Sequence, residues 1–322
     1  MVVTPISGVR IHRQEQKLPW AREIEVGDEP FDRAFYIVGP TCLLSALLDA
    51  KTRQLLLSVN AESRFEIVHG ELRAEMVDKQ VADLLPLLVD IGRRFALPLK
   101  VAQRMAENAQ KDPEAGVRLQ NLLLLVHDHP GYPETTEALR TACSDASPQI
   151  RLRAAKELGA EGRDVLVELA ENTVDDAVSA QAVSILAGEL SGERTRAILV
   201  QALRRRRIQT ASACLEALGR STAAEDVDTL VKVLTREKSE LAAVAATALG
   251  TTGNPAAEPP LIHALQAEQA DLQAAAANAL ARVGTTAAVL RPSASMHARA
   301  VRCRRLRRDW RRMALVLSTG RS

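Results

Sequence analysis

Aromatic side chains are scarce in this chain: four Phe, two Tyr and two Trp among 322 residues. That scarcity argues against a ligand pocket walled by rings, and it leaves packing to small and branched side chains. The four cysteines, Cys42, Cys143, Cys214 and Cys303, lie far apart with no C-x-x-C pair. No disulfide framework is implied, and Cys214, in an apolar slot, is expected to be a buried thiol. No apolar run reaches the roughly 18 residues of a membrane span. The start, Met1-Val-Val-Thr-Pro, lacks the charged lead and apolar core of a signal peptide. A soluble cytoplasmic protein is the expectation. Catalytic signatures are missing as well. There is no G-x-G-x-x-G behind a strand, no G-x-x-x-x-G-K-[ST], no G-x-S-x-G and no H-E-x-x-H. No catalytic, cofactor-binding or metal-ligating residue is therefore nominated.

What is present is a repeat. The stretch Pro148–Gly159, P-Q-I-R-L-R-A-A-K-E-L-G, returns in altered form at Val178–Gly188, Ile208–Gly219, Leu241–Gly250 and Leu272–Ala281. Aligning Leu158, Leu186, Leu218, Leu249 and Leu280 gives spacings of 28, 32, 31 and 31 residues. A period near 31 with two helical patterns per unit predicts an α-solenoid. In the first helix of a unit, Ile150, Ala154, Ala155 and Leu158 form one stripe, and Gly159 or its counterpart is expected to end the helix with positive φ. The second helix carries Val165, Leu166 and Leu169, matched by Ile198, Leu199 and Ala202, by Leu230, Val231 and Leu234, and by Leu261, Ile262 and Leu265. Pro259-Pro260 falls in a first turn, where a missing N–H is tolerated. Alanines such as Ala245, Ala246 and Ala276 are assigned to close contacts between first helices. A worn first unit spans Pro113–Val126 and Pro133–Cys143. Interior units follow at 145–172, 175–204, 206–236 and 238–268, with a last one from Asp271.

Residues 1–105 lie outside this pattern and predict a small α+β domain. Glu23–Val26 and Phe35–Val38 are expected strands, and Thr41 is expected to cap a short helix through Leu48. Phe65–Val68 and Leu72–Met76 predict a hairpin. Asp78 is expected to cap a long amphipathic helix with Val81, Leu84, Leu85, Leu88, Ile91 and Phe95 on one face. Phe31 and Phe35, four apart, are expected to be packing residues.

The segment F-D-R-A-F-Y-I-V-G (Phe31–Gly39), with L-L-D-A-K-T-R (Leu47–Arg53), resembles a bacterial module often fused to helical repeats, and that resemblance implies architecture alone. Arg151–Gly159, Leu241–Gly250 and Asn254-Pro255-Ala256-Ala257, with the apolar second helices, resemble HEAT-like repeats of the variety found in phycobilisome lyases. The resemblance implies a mostly α chain: a small α+β domain at 1–105, then a solenoid of HEAT-like hairpins at 106–290. It leaves activity open, since such repeats serve lyases, hydroxylases, glycosylases and plain scaffolds. HEAT-type hydroxylases hold iron through His-Glu pairs, and no His-Glu dipeptide occurs here.

His127-Asp128-His129 is the densest ligand-like cluster, and solvated turn residues are its simplest reading. Arg204–Arg207 reads as a solvated loop that complements a helix C-terminus. An anchor for an acidic partner or for phosphate stands as its functional alternative. The function implied is a non-enzymatic, protein-binding scaffold using its concave face. If second helices line that face, Glu168, Gln201, Lys232, His263 and Gln266 are the first contact candidates. A lyase-like or chaperone-like factor acting on a tetrapyrrole or a partner enzyme is the alternative. Nucleic acid is disfavoured, because no basic stripe recurs per repeat.

The tail 291–322 breaks the pattern. It holds ten Arg and one acid, against 32 basic and 39 acidic residues in the rest. One reading is a basic amphipathic helix for anionic membrane or nucleic acid, with Val301, Leu306, Trp310, Met313 and Leu317 as its apolar stripe. The other, preferred because a solenoid needs a capping helix here, is an out-of-frame product of a GC-rich gene with poor packing of its own.

Overall fold

The structure is a computed structural model that describes residues 2–3, 8–14, 23–68, 70–96, 99–237 and 240–283. The tail 291–322 and the end of the last repeat after Val283 lie outside the described residues, as does His69 of the predicted hairpin turn. The described chain is mostly helical, with one small sheet near its start. It divides into two compact units, Met1–Leu186 and Ala187–Ser322.

The first unit opens with five antiparallel strands in the order β1 (Val2–Val3), β5 (Glu71–Glu75), β4 (Arg64–Val68), β2 (Arg10–Arg13), β3 (Phe35–Val38). The β4–β5 hairpin is the predicted one, in the register Phe65 opposite Ala74. Glu23–Val26, however, is not a strand. Only the Ile24 amide reaches β3, donating to the Ile37 carbonyl at 2.9 Å, and one bond makes no ladder. The inner place beside β3 is taken by Arg10-Ile-His-Arg13. It spans only four residues, with Ile11 and His12 both buried and Ile11 its one large apolar group, so it carries no period of two.

Helices α1 (Glu29–Ala34), α2 (Thr41–Leu47), α3 (Ala50–Glu62) and α4 (Asp78–Ala96) accompany the sheet. Phe31 and Phe35 are buried packing residues, with ring centroids 4.9 Å apart. Thr41 is not a cap: Pro40 holds that position without a side-chain bond, and Thr41 is the first helical residue. Asp78 likewise stands inside the first turn of α4 rather than before it. On that helix Leu84, Leu88, Ile91 and Phe95 are buried as expected, but Val81 and Leu85 are exposed. The buried sector is narrower than the apolar one.

Helices α5 (Val101–Lys111), α6 (Ala115–Asp128), α7 (Pro133–Ala142), α8 (Pro148–Leu158), α9 (Arg163–Asn172) and α10 (Asp176–Ile185) complete this unit. Each packs on the next, and α6, α8 and α10 also pack on one another in turn. The expected division between 105 and 106 falls inside α5. That helix packs on α2 on one side and on α6 and α7 on the other. Ala46 of α2 shares a core with Met105, Leu122, Leu125 and Ile150, and Asn108 donates to the Ser45 carbonyl at 2.9 Å. Helices α2 and α5 thus pair ahead of α6 and α7, with α3, the hairpin and α4 inserted between them in sequence.

The second unit holds α11 (Gly192–Arg204), α12 (Ile208–Leu218), α13 (Ala224–Arg236), α14 (Glu240–Thr252), α15 (Glu258–Ala264) and α16 (Ala270–Val283). Here α12, α14 and α16 pack in series, as do α11, α13 and α15. Pro259 and Pro260 sit in the first turn of α15 as predicted. The glycine rule needs correction. Gly159 does end α8 at φ +59°, but Gly219 is right-handed and Gly250 lies within α14. Both are glycine for lack of room. A Cβ on Gly219 would stand 2.9 Å from the Ala248 Cα, and one on Gly250 would stand 2.5 Å from the Ala279 Cα. The same offset of 29 residues recurs, so α12 rests backbone-close on α14, and α14 on α16.

These contacts predict intolerance to bulk. Ala246, fully buried, should lose roughly 1–3 kcal/mol as Ala246→Leu. Gly250→Ala should also destabilise, although alanine is favoured in a free helix by about 1 kcal/mol. Ala274, exposed on the same helix as Ala276, gives the control: Ala274→Leu should be neutral. Equal unfolding midpoints for all three variants would show that the stripe is misassigned.

Candidate functional site

Every nominated contact residue is exposed: Glu168 on α9 in the first unit, and Gln201 on α11, Lys232 on α13, His263 on α15 and Gln266 just beyond it in the second. Two already have partners within the chain. Glu168 lies 3.4 Å from Arg151, and the Lys232 ammonium lies 2.6 Å from Asp228 one turn back. Exposed pairs of this kind are weak and exchange readily with water, so both side chains remain available.

The better-formed concavity lies elsewhere. A groove of about 450 Å³ runs over α6, α8 and α10, floored by Leu119, Leu123, Leu152, Val178 and Ile185. Its rim carries Arg153, Lys156, Gln181 and Asp175. One end is tied by Gln149, which donates to Asp175 at 2.5 Å. The predicted stripe could not show this groove, because it marks the opposite side of the same helix. Leu152 stands about 200° round the helix from Ile150, so α8 is apolar on two sides. One side meets the core, and the other forms the floor. In the second unit a cleft of about 450 Å³ again lies over first helices, between α12 and α14, with Val244 and Ala243 beside Glu216, Arg220 and Thr247.

A larger cleft of about 620 Å³ lies between α5 and the inserted segment. Five of its charged side chains, Asp49, Asp90, Arg94, Arg104 and Glu107, pair with one another. Asp49 accepts from Arg104 at 3.0 Å and from Arg94 at 3.3 Å, and Arg104 also pairs with Glu107 at 2.8 Å. A polar ligand there would have to displace bonds already made.

The reactive residue types are held in quiet states. Burial pushes the Cys214 thiol up to about 12. It pushes Cys42 up to about 11, helped by the bond from its Sγ to Asp128 at 3.0 Å. Cys143 is also raised by burial. None of these three is a thiolate near neutral pH. His127 is exposed and shares Asp128 with Cys42, at 2.8 Å from Nδ1. Among the described residues, no three His, Cys, Asp or Glu side chains converge as metal ligands. In the arginine run, Arg204, Arg205 and Arg206 are exposed, as a solvated loop requires. Arg207 instead turns inward at the start of α12 and is buried. No helix among the described residues is long and apolar enough to cross a membrane.

Residues 227–302 match a family model described as HEAT repeats. Among solved structures, the crystal structure of an engineered protein is similar to this chain. It has 20% identity and a TM-score of 0.34, over 57% of this chain and 89% of that one. No curated protein matches.

Side-chain ties between hairpins supply the framework under the first groove. Arg118 of α6 donates to both Asp145 oxygens, at 2.7 and 2.8 Å, and also to the Asp112 and Pro113 carbonyls. Burial would raise the Asp145 carboxyl, but Arg118 and the Ser147 amide outweigh it and hold it below its usual value. A carboxyl depressed in the folded state stabilises above its unfolded value and loses that contribution as pH falls through its folded one. Asp145→Asn should therefore cost roughly 3 kcal/mol near neutral pH. The difference from the parent should shrink as pH falls below the ordinary carboxylate range. Denaturant titrations at the two pH values check this; a gap that stays constant would contradict it.

Proposed function

We propose that this chain is a protein-binding scaffold in which residues 106–290 form a HEAT-like α-solenoid behind the α+β segment 1–105. The observation that carries the reading is the apolar groove over α6, α8 and α10. Its half-buried Leu119 and Leu123 and its mixed-charge rim suit a partner segment that inserts aliphatic side chains and satisfies polar ends. Cytoplasmic placement and independence from a cofactor belong to the same proposal. So does a fine resemblance to the repeats of phycobilisome lyases.

A second reading rests on one observation, the exposure of Glu168 in the first unit and of Gln201, Lys232, His263 and Gln266 in the second. They would add polar contacts to an extended partner. The alternative of a lyase-like or chaperone-like factor on a tetrapyrrole has less support, since no aromatic side chain lines the groove. A chaperone-like role on a partner enzyme would use the same groove.

Site-specific photo-crosslinking tests the proposal. A photoreactive residue at Leu123 or Gln181 should yield a discrete protein adduct in native lysate, suppressed by Leu152→Glu. One at Lys232 reports on the second reading. Adducts at Lys232 alone would transfer the site to the second helices. A co-purifying pigment with no protein adduct would support the lyase reading instead.

A further inference from the structure

Helix α4 carries an apolar face that no described residue of the first unit covers. It turns Leu84, Leu88, Ile91 and Phe95 inward, and its packing partners are α3 and β1. On another side, Val81, Leu85 and Val89 follow one another four residues apart, and that row ends at Arg93. The adjoining row runs from Asp78 through Ala82 and Pro86 to Asp90, which turns to the strip's edge and pairs with Arg94 at 3.8 Å. Residues four apart stand one above the other on a helix, so the two rows make one strip. Val81 is 38% exposed and Leu85 is 50% exposed. Ala82, Pro86, Asp78 and Arg93 are exposed and Val89 is half-buried. The proline tells in the same direction. It cannot donate to the Ala82 carbonyl, so the helix leaves an acceptor on its outward side.

From this strip we infer that α4 is the contact through which two copies of this chain associate, packed antiparallel about a two-fold axis near Leu85 and Pro86. The strip is self-complementary. The strip carries an acid at its N-terminal end and an arginine at its C-terminal end, each about equally far from the centre in sequence. An antiparallel mate sets Asp78 of one copy beside Arg93 of the other, twice, while Val81 meets Val89 and Leu85 meets Leu85. Among the described residues neither Asp78 nor Arg93 has a salt-bridge partner within the chain. A parallel mate would place like charges together, and an unrelated partner would have no reason to match both ends. The two helix dipoles also oppose in this arrangement.

Size sets the strength. Nineteen residues make a helix about 28 Å long. One such face buries less than the roughly 800 Å² per partner of a stable interface. Association should therefore be weak and concentration-dependent. The inference is independent of the groove, which lies on other helices.

Sedimentation velocity of the full chain over a concentration series tests it. A monomer–dimer equilibrium is expected, and Leu85→Glu should weaken it by at least about tenfold with the unfolding midpoint unchanged. Asp78→Arg and Arg93→Asp should each weaken it, and the two together should restore it. A monomer at every concentration overturns the proposal, as does a dimer indifferent to Leu85→Glu. Failure of the double exchange to restore association overturns the antiparallel arrangement.

Discussion

Arg53 is almost wholly buried and holds three separate stretches of chain together. Its Nε donates to Asp28 at 2.6 Å, its two terminal nitrogens donate to Asp112 at 2.8 and 2.9 Å, and one of them also reaches the Leu48 carbonyl at 2.9 Å. Burial alone would push the guanidinium down, but Asp112 and Asp28 outweigh it and the group stays charged. Each acid has a second task. Asp28 caps α1 through the Phe31 amide, and Asp112 ends α5 and accepts the Glu114 amide. A charge so enclosed is tolerated only with all its partners in place. The sheet-bearing segment and the first repeat helices are therefore held in one arrangement.

The backbone repeats the message a few ångströms away. A Cβ on Gly27 would stand 2.4 Å from the Gly116 carbonyl carbon, and one on Gly116 would stand 2.1 Å from the Gly27 oxygen. The loop before α1 thus lies directly on the start of α6, at a spacing open only to two glycines. With α2 and α5 paired ahead of α6 and α7, the otherwise open end of the helical series is covered by the α+β segment rather than by a polar terminal repeat.

The repeat helices were legible in the sequence because leucine and alanine recur at helical spacing around each turn, and residues such as Ile150, Ala154, Leu166 and Leu169 are buried where that spacing places them. Three things were not legible. The strand Arg10–Arg13 is too short and too charged to show a period of two. Helix α5, V-A-Q-R-M-A-E-N-A-Q-K, has few large apolar residues, because its neighbours α2 and α6 come close to small side chains. The reason for Gly219 and Gly250 is contact across the repeat and not a turn, and a single chain's sequence does not distinguish the two. As for the candidate site, the exposure of the second-helix row follows from its position opposite the apolar stripe. The groove over first helices required knowing that α8 has a neighbour on each side.

If Arg53 binds these segments into one cooperative body, their backbone amides must open together. Hydrogen exchange of the full chain in rising denaturant reads this directly, by comparing Ile67 in β4 with Leu122 in α6. The account predicts that the two merge into one opening free energy, and that Arg53→Met lowers both by the same amount, roughly 3–5 kcal/mol. Strand amides that open independently of α6, or that fall alone in the variant, would contradict it.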